Sequence, residues 1–201
     1  MQPFFKHYLR PALVLTLLFT IVTGFIYPGI VTGLAQIIFP HQANGSLVYA
    51  NGKLVGSELL GQYWTSTKYF HGRPSAAVDL INGTPVPYAA DNSAASNAGP
   101  TNAAYIQTVQ QRVAALKQEN PAAPAGPVPN DLVTASASGL DPDITPAAAF
   151  YQAPRIAQVR GLTLAQVNKL INEHIQGRFL WIFGEVHVNV LDLNLALDAL
   201  R

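Results

Sequence analysis

Ser136 and Ser138, set in a Ser-Ala-Ser-Gly run ending at Gly139, together with His71, His174 and several Asp residues, contain the ingredients of a nucleophile, a base and an orienting carboxylate. Such a set would make a serine hydrolase, in which the imidazole takes the proton of an attacking hydroxyl. The local setting argues otherwise, because no Gly-x-Ser-x-Gly elbow occurs. Short Ser-rich runs also bond their own turns, and that structural role suits the Ser136–Gly139 loop better. Phosphate chemistry meets a similar obstacle. Gly56-Ser-Glu-Leu-Leu-Gly61 has the glycine spacing of a phosphate loop, but Gln62-Tyr63 follow where a Lys and a hydroxyl residue must hold phosphate and magnesium. The histidines at 7, 41, 71, 174 and 187 show no His-Glu-x-x-His and no i, i+4 pair, so no metal site is written in one segment. The chain has no Cys, which excludes thiolate catalysis and Cys-ligated metals.

The elements that would carry these residues begin with a membrane segment. Only 11% of the 201 residues are charged, against roughly 25% in an ordinary soluble domain. Between Arg10 and Lys53 there is no Asp, Glu, Lys or Arg at all. Residues 12–39 are long and apolar enough to cross a hydrocarbon layer of about 30 Å and are read as one transmembrane helix, kinked near Pro28. A cleaved secretory signal is the competing reading, with Lys6 and Arg10 as its basic start and Gly33-Leu-Ala35 as its cleavage motif; signal cores usually stop after about 7 to 15 apolar residues, and this one continues. Lys6 and Arg10 precede the span and nothing basic follows until Lys53, which puts residues 1–11 in the cytoplasm and 40–201 outside. Within the span, Thr16, Thr20 and Gly24, then Gly29 and Gly33, recur at four-residue spacing that lets another helix approach closely. The net charge of +1 gives no basic excess for nucleic acid.

Beyond residue 40 the patterning predicts a folded α+β domain. Leu47–Ala50, Asn51-Gly52 and Lys53–Val55 read as a β-hairpin, since Asn-Gly accepts the positive φ of a type I′ turn. Tyr105, Val109, Val113 and Leu116 share one face of a helix over 101–120 that Pro121 stops. Residues 120–130, with four prolines, form an extended connection. Asp131–Ala135 is a short strand candidate. Thr145 caps and Pro146 starts a helix through Gln152. Leu162, Val167, Leu170, Ile171 and His174 line another helix, and Phe179–Phe183, Val186–Val190 and Leu193–Leu200 read as strand, strand and closing helix.

Several strings together resemble one family along essentially the whole chain. They are Tyr27-Pro28, Phe39-Pro40, Leu60-Gly61-Gln62, Tyr69-Phe70, Arg73-Pro74-Ser75-Ala76, Ser93 to Ser96-Asn97, Gly99-Pro-Thr-Asn102, Asp131-Leu-Val-Thr-Ala-Ser-Ala-Ser-Gly-Leu-Asp141-Pro and Val188-Asn189-Val-Leu-Asp-Leu-Asn194-Leu-Ala-Leu-Asp198. This order resembles the C subunit of the Kdp-type bacterial potassium-transporting ATPase. The chain departs from the family pattern at Asp143, where His is usual, and at Ala94-Ala95, where Gly-Gly is frequent.

The resemblance implies a non-catalytic subunit of an inner-membrane pump. Its partners would be a channel-like potassium-binding subunit, a P-type ATPase subunit and a small single-span subunit. It also implies a catalytic chaperone that raises the ATP affinity of the hydrolysing subunit, with Gly61-Gln62 as the segment linked to nucleotide. ATP would then act on the partner, and no cofactor is expected on this chain. The chain itself has neither an Asp-Lys-Thr-Gly phosphorylation string nor a potassium filter string. A domain outside the membrane does not meet cytoplasmic ATP, so an influence on nucleotide would be allosteric. Two other classes stay open at this stage: a signal-anchored periplasmic enzyme using the Ser136–Gly139 loop, and a solute-binding module that would hold potassium through backbone carbonyls.

Overall fold

A computed structural model describes residues 4–200. Met1–Pro3 of the expected cytoplasmic segment and Arg201 of the outer domain lie outside the described residues. The chain divides into two compact units, one ending at Leu47 and the other starting at Val48.

The first unit is a continuous helix, α1 (Phe5–Ile38), followed by a single turn, α2 (Pro40–Ala43). The apolar composition sustains α1 over more residues than expected, and the helix begins seven positions before Ala12. It is the one helix among the described residues long and apolar enough to cross a membrane, and no part of its most apolar stretch is buried. The backbone widens to π-helical geometry at Val22–Ile26, directly before Tyr27-Pro28. Pro28 has no N–H for the carbonyl of Gly24 and its ring crowds that carbonyl, and a wide turn relieves both. Phe39 ends α1 by leaving helical geometry, and Asn44 closes the turn beyond it through reciprocal amide bonds with Gln36 and a bond to the Pro40 carbonyl.

The second unit is α+β. It opens with the hairpin β1 (Leu47–Ala50) and β2 (Lys53–Ser57), whose turn residues Asn51 and Gly52 both take positive φ. Helix α3 (Ala103–Glu119) follows, with the Asn102 side chain accepting from Tyr105 N–H at 3.0 Å. Val109, Val113 and Leu116 on one face pack against the core.

The core itself lies between three helices and a small sheet. Helix α4 (Pro146–Arg160) is capped by Thr145 and ended by Gly161 in the left-handed region. Helix α5 (Leu164–His174) starts on a capping box between Thr163 and Gln166, and α6 (Val190–Ala199) is capped by Asn189. The sheet is antiparallel in the order β3 (Asp143–Ile144), β5 (His187–Asn189), β4 (Ile175–Gln176), with Ile144 and Ile175 both opposite Val188. Ile144, Ile156, Val167, Ile171, Val188, Leu193 and Leu197 fill the space between these layers and are buried.

Three segments differ from the sequence expectation. Asp131–Ala135 forms no strand; Asn130–Leu132 is a 3-10 turn whose Leu132 points into the core. Helix α4 continues through Pro154 to Arg160. Its interior proline loses one backbone bond, at a cost of about 3 kcal/mol, and burial of Ile156 and Ala157 beyond it offsets that loss. Phe179–Phe183 folds back on itself as an isolated turn and joins no sheet.

Candidate functional site

Most residues singled out from sequence in the outer domain, Asn189 excepted, meet around one long segment, Gln62–Asn102, which contains neither helix nor named strand. Such a segment must find partners for its buried backbone groups elsewhere. Fully buried Asn194 on α6 supplies two of them, accepting from Phe70 N–H at 2.8 Å and donating to Phe70 O at 3.0 Å. Fully buried Gln152 on α4 repeats the pattern one residue later, with His71 N–H at 2.8 Å and His71 O at 3.1 Å. Two side-chain amides thus act as short lengths of neighbouring strand. Arg155, one helical turn from Gln152, donates to the carbonyls of Thr67 and Tyr69, to Gln152 and to Asn120. Its guanidinium lies 3.6 Å from Glu119, and burial lowers its affinity for the proton.

A second knot ties this segment to the Ser136–Asp141 loop. Arg73 pairs with Asp141 at 3.0 Å and reaches the Ala135 carbonyl. Ser75 donates to Gly139 O at 2.7 Å and accepts from the N–H groups of Ala77 and Tyr88. The Tyr88 hydroxyl donates to Arg73 O at 2.6 Å, and burial pushes its pKa up to about 12. Ser136 and Ser138 accept from the N–H groups of Gly139 and Leu140, while Ser138 O receives Ala94 N–H and the Ser93 hydroxyl. Gly139 has φ +69, and a Cβ there would meet the Ala94 carbonyl. Gly61 donates to Leu140 O at 2.8 Å, and a Cβ on it would strike Asp141 O and the Tyr88 ring. Gln62 turns away from this knot and donates to Val55 O in β2.

The two knots flank an open cavity of about 500 Å³ lined by Gln62, Trp64, His71, Arg73, Pro74, Tyr88, Arg112 and Glu119 among others. His71 lies 3.7 Å from Glu119 and 3.2 Å from Ser66 O; burial, then the Arg155 charge, lowers its pKa against the opposing pull of Glu119 and Ser66 O. Ser96 borders a smaller recess of about 320 Å³ beside α3. Asn97 is exposed at φ 50. Next to the second knot, where Asp143 N–H donates to Asp141 at 3.1 Å, Asn189 donates to Glu58 O and to Asp143, whose carboxylate is 3.9 Å from His187. Burial is the main cause that raises the Asp143 pKa.

In α1, the Thr20 hydroxyl bonds the Thr16 carbonyl, and Cβ atoms built on Gly24, Gly29 or Gly33 would meet nothing within 4 Å. Sequence reasoning passed over Gln152, Arg155, Asn120 and Glu119. One polar residue, Gln152, on a helix face otherwise made of Ala148, Ala149, Ala153 and Ile156 was the available signal.

Chemically, the arrangement spends its polar groups on its own backbone. Ser136 and Ser138 bond the turn they stand in, while His71 and His174 bond the carbonyls of Ser66 and Leu170. Among the described residues no group of three His, Asp or Glu is placed to hold a metal. Fold and site therefore define an α+β domain that is internally strapped, carried on a chain with one apolar helix of membrane-crossing length.

Comparison with known proteins narrows this class to one family. Residues 9–199 match the family described as "KdpC: K+-transporting ATPase, c chain", and the chain belongs to it. It is 55% identical over 194 residues to the potassium-transporting ATPase KdpC subunit of Sorangium cellulosum (strain So ce56), covering 96% of this chain and 98% of that one. The subunit of the same name from Rhodopseudomonas palustris (strain BisB18) is 52% identical over 198 residues, covering 96% and 98%. That of Methylococcus capsulatus is 51% identical over 195 residues, covering 97% and 99%.

Proposed function

We propose that this chain is the non-catalytic accessory subunit of an ATP-driven potassium uptake pump in the bacterial inner membrane. α1 crosses the bilayer with its amino terminus in the cytoplasm, and the strapped α+β domain stands in the periplasm. The observation that carries this reading is family membership over nearly the whole chain, with relatives whose names make them subunits of a potassium-transporting ATPase. The partners are the channel-like potassium-binding subunit, the P-type ATPase subunit and the small single-span subunit of that pump. The small residues Thr16, Thr20, Gly24, Gly29 and Gly33 give α1 a low face for the helices of those partners. The outer domain stabilises the assembly above the potassium entrance. Any gain in ATP affinity is passed through the membrane helices, since Gly61 and Gln62 are engaged within the outer domain by Leu140 O and Val55 O.

The test is purification of the complete complex with and without this chain, followed by potassium-stimulated ATPase activity at varied ATP. Without the chain the complex is expected to fall apart, or to hold together with a raised KM for ATP. Full assembly with an unchanged KM would overturn the proposal. Replacing both Ser136 and Ser138 by Ala separates it from an enzymatic role, because assembly and activity should fall together or be spared together.

A further inference from the structure

Between β4 and β5 the chain reads Arg178-Phe-Leu-Trp-Ile-Phe-Gly-Glu185. Five consecutive large apolar side chains stand in water here, with Trp181 93% exposed and none of the five below 61%. Single exposed apolar residues are ordinary on protein surfaces, whereas a contiguous run of this size marks a surface that something covers. The turn is also ordered by its own bonds. Phe179 and Phe183 exchange N–H to O bonds of 2.8 and 2.9 Å, Trp181 N–H reaches Arg178 O and Ile182 N–H reaches Phe179 O. Arg178 and Glu185 close the base with an ion pair of 2.7 Å. At the apex Leu180 and Trp181 both take positive φ, a conformation that Asn-Gly would hold without strain. Bulky side chains kept at such positions point to a role for the side chains themselves.

We propose that this turn is a second membrane contact of the chain, its tip dipping into the boundary between headgroups and acyl chains of the bilayer that holds α1. The proposal rests on α1 lying in the membrane, as proposed above. Continuity of the chain keeps the domain within reach of that bilayer. From Phe179 to Gly184 the tip has no polar side chain apart from the indole N–H of Trp181, and four of its backbone N–H groups are closed within the turn. Hydrocarbon, with no water to bond, demands that closure, whereas a protein groove would reward free donors and acceptors. Trp at the apex and Arg at the base are the residues that settle at a membrane interface.

The test uses the full chain, alone and in the pump complex, reconstituted into vesicles made with ordinary or bromine-labelled lipid. The chain has two Trp, so Trp181→Phe identifies the share of emission that belongs to the turn. Bromine near the headgroup end of the acyl chain is expected to remove about half the emission of the wild-type chain, an amphipathic ring at the interface being within its reach. The variant should show no such loss. Equal emission in both lipids, or a loss that persists in Trp181→Phe, would overturn the proposal. A blue-shifted Trp181 that bromine does not quench in the complex would assign the turn to a protein groove. Alkaline carbonate extraction separates the two premises: release of the chain would overturn the span and this proposal together, whereas retention without quenching would overturn the turn's insertion alone.

Discussion

Asn194 and Gln152 each satisfy both the N–H and the C=O of one residue in the segment between β2 and α3, Phe70 and His71 in turn. Asn194→Leu fills much the same space and leaves the Phe70 N–H and C=O without partners. Each unpaired buried group costs roughly 1–3 kcal/mol, so unfolding of the detergent-solubilised chain in urea should show a loss of about 2–6 kcal/mol. Asp143 makes a prediction of opposite sign. Its folded pKa is raised, chiefly by burial and further by Asp141 and Asp192, while His187 and Asn189 oppose the shift. The folded state therefore holds the proton more tightly than the unfolded one, and the stabilisation present below the ordinary carboxylate pKa is lost as pH rises through the folded value. Asp143→Asn should accordingly raise stability at neutral pH, and the gap from the parent chain should close as the pH falls toward the usual Asp range. A series of urea midpoints against pH checks both the sign and the window.

Helix α4 positions both Gln152 and Arg155, so its first turn matters to residues two turns away. Thr145 accepts the Ala148 N–H at 3.1 Å, and Pro146 stands where no donor is needed. Thr145→Ala should lower stability by about 1 kcal/mol, read from the same urea transitions, with no change in the slope of the transition. This cap was legible in the sequence, as were the Asn51-Gly52 hairpin and the apolar faces of α3 and α5, because each depends on neighbours within a few residues. The sheet was not legible in the same way. Its strands are two or three residues long and are defined by opposition to β5 across the chain, which no local period announces. Phe179–Phe183 read as a strand because its residues favour extended backbone, yet its pairing is with itself. The motif serines were legible as turn residues, whereas the amide clamps appear only once α4 and α6 lie beside Phe70 and His71.

At the scale of the whole molecule, the distribution of charge bears on function more directly than any single site. Lys6 and Arg10 lie in the first two turns of α1, and no Lys or Arg follows until Lys53. This asymmetry is what the proposed topology rests on: by the positive-inside rule it would put the α+β domain across the membrane from the compartment that holds ATP. If the proposed topology holds, Gly61 and Gln62 do not meet nucleotide directly, and the helices are the route of coupling. The absence of Cys allows a clean test. Ala137 is exposed, unlike Ser138, whose hydroxyl is committed to Leu140 N–H, so Ala137→Cys leaves the loop intact. A thiol reagent that passes the outer membrane but not the inner should label this variant in intact cells. Replacing both Lys6 and Arg10 by Glu should reduce that labelling by weakening the orientation signal. Labelling of Ala137→Cys only after the inner membrane is broken would reverse the topology, return the domain to the cytoplasm and make direct contact with nucleotide the simpler account of any effect on ATP affinity.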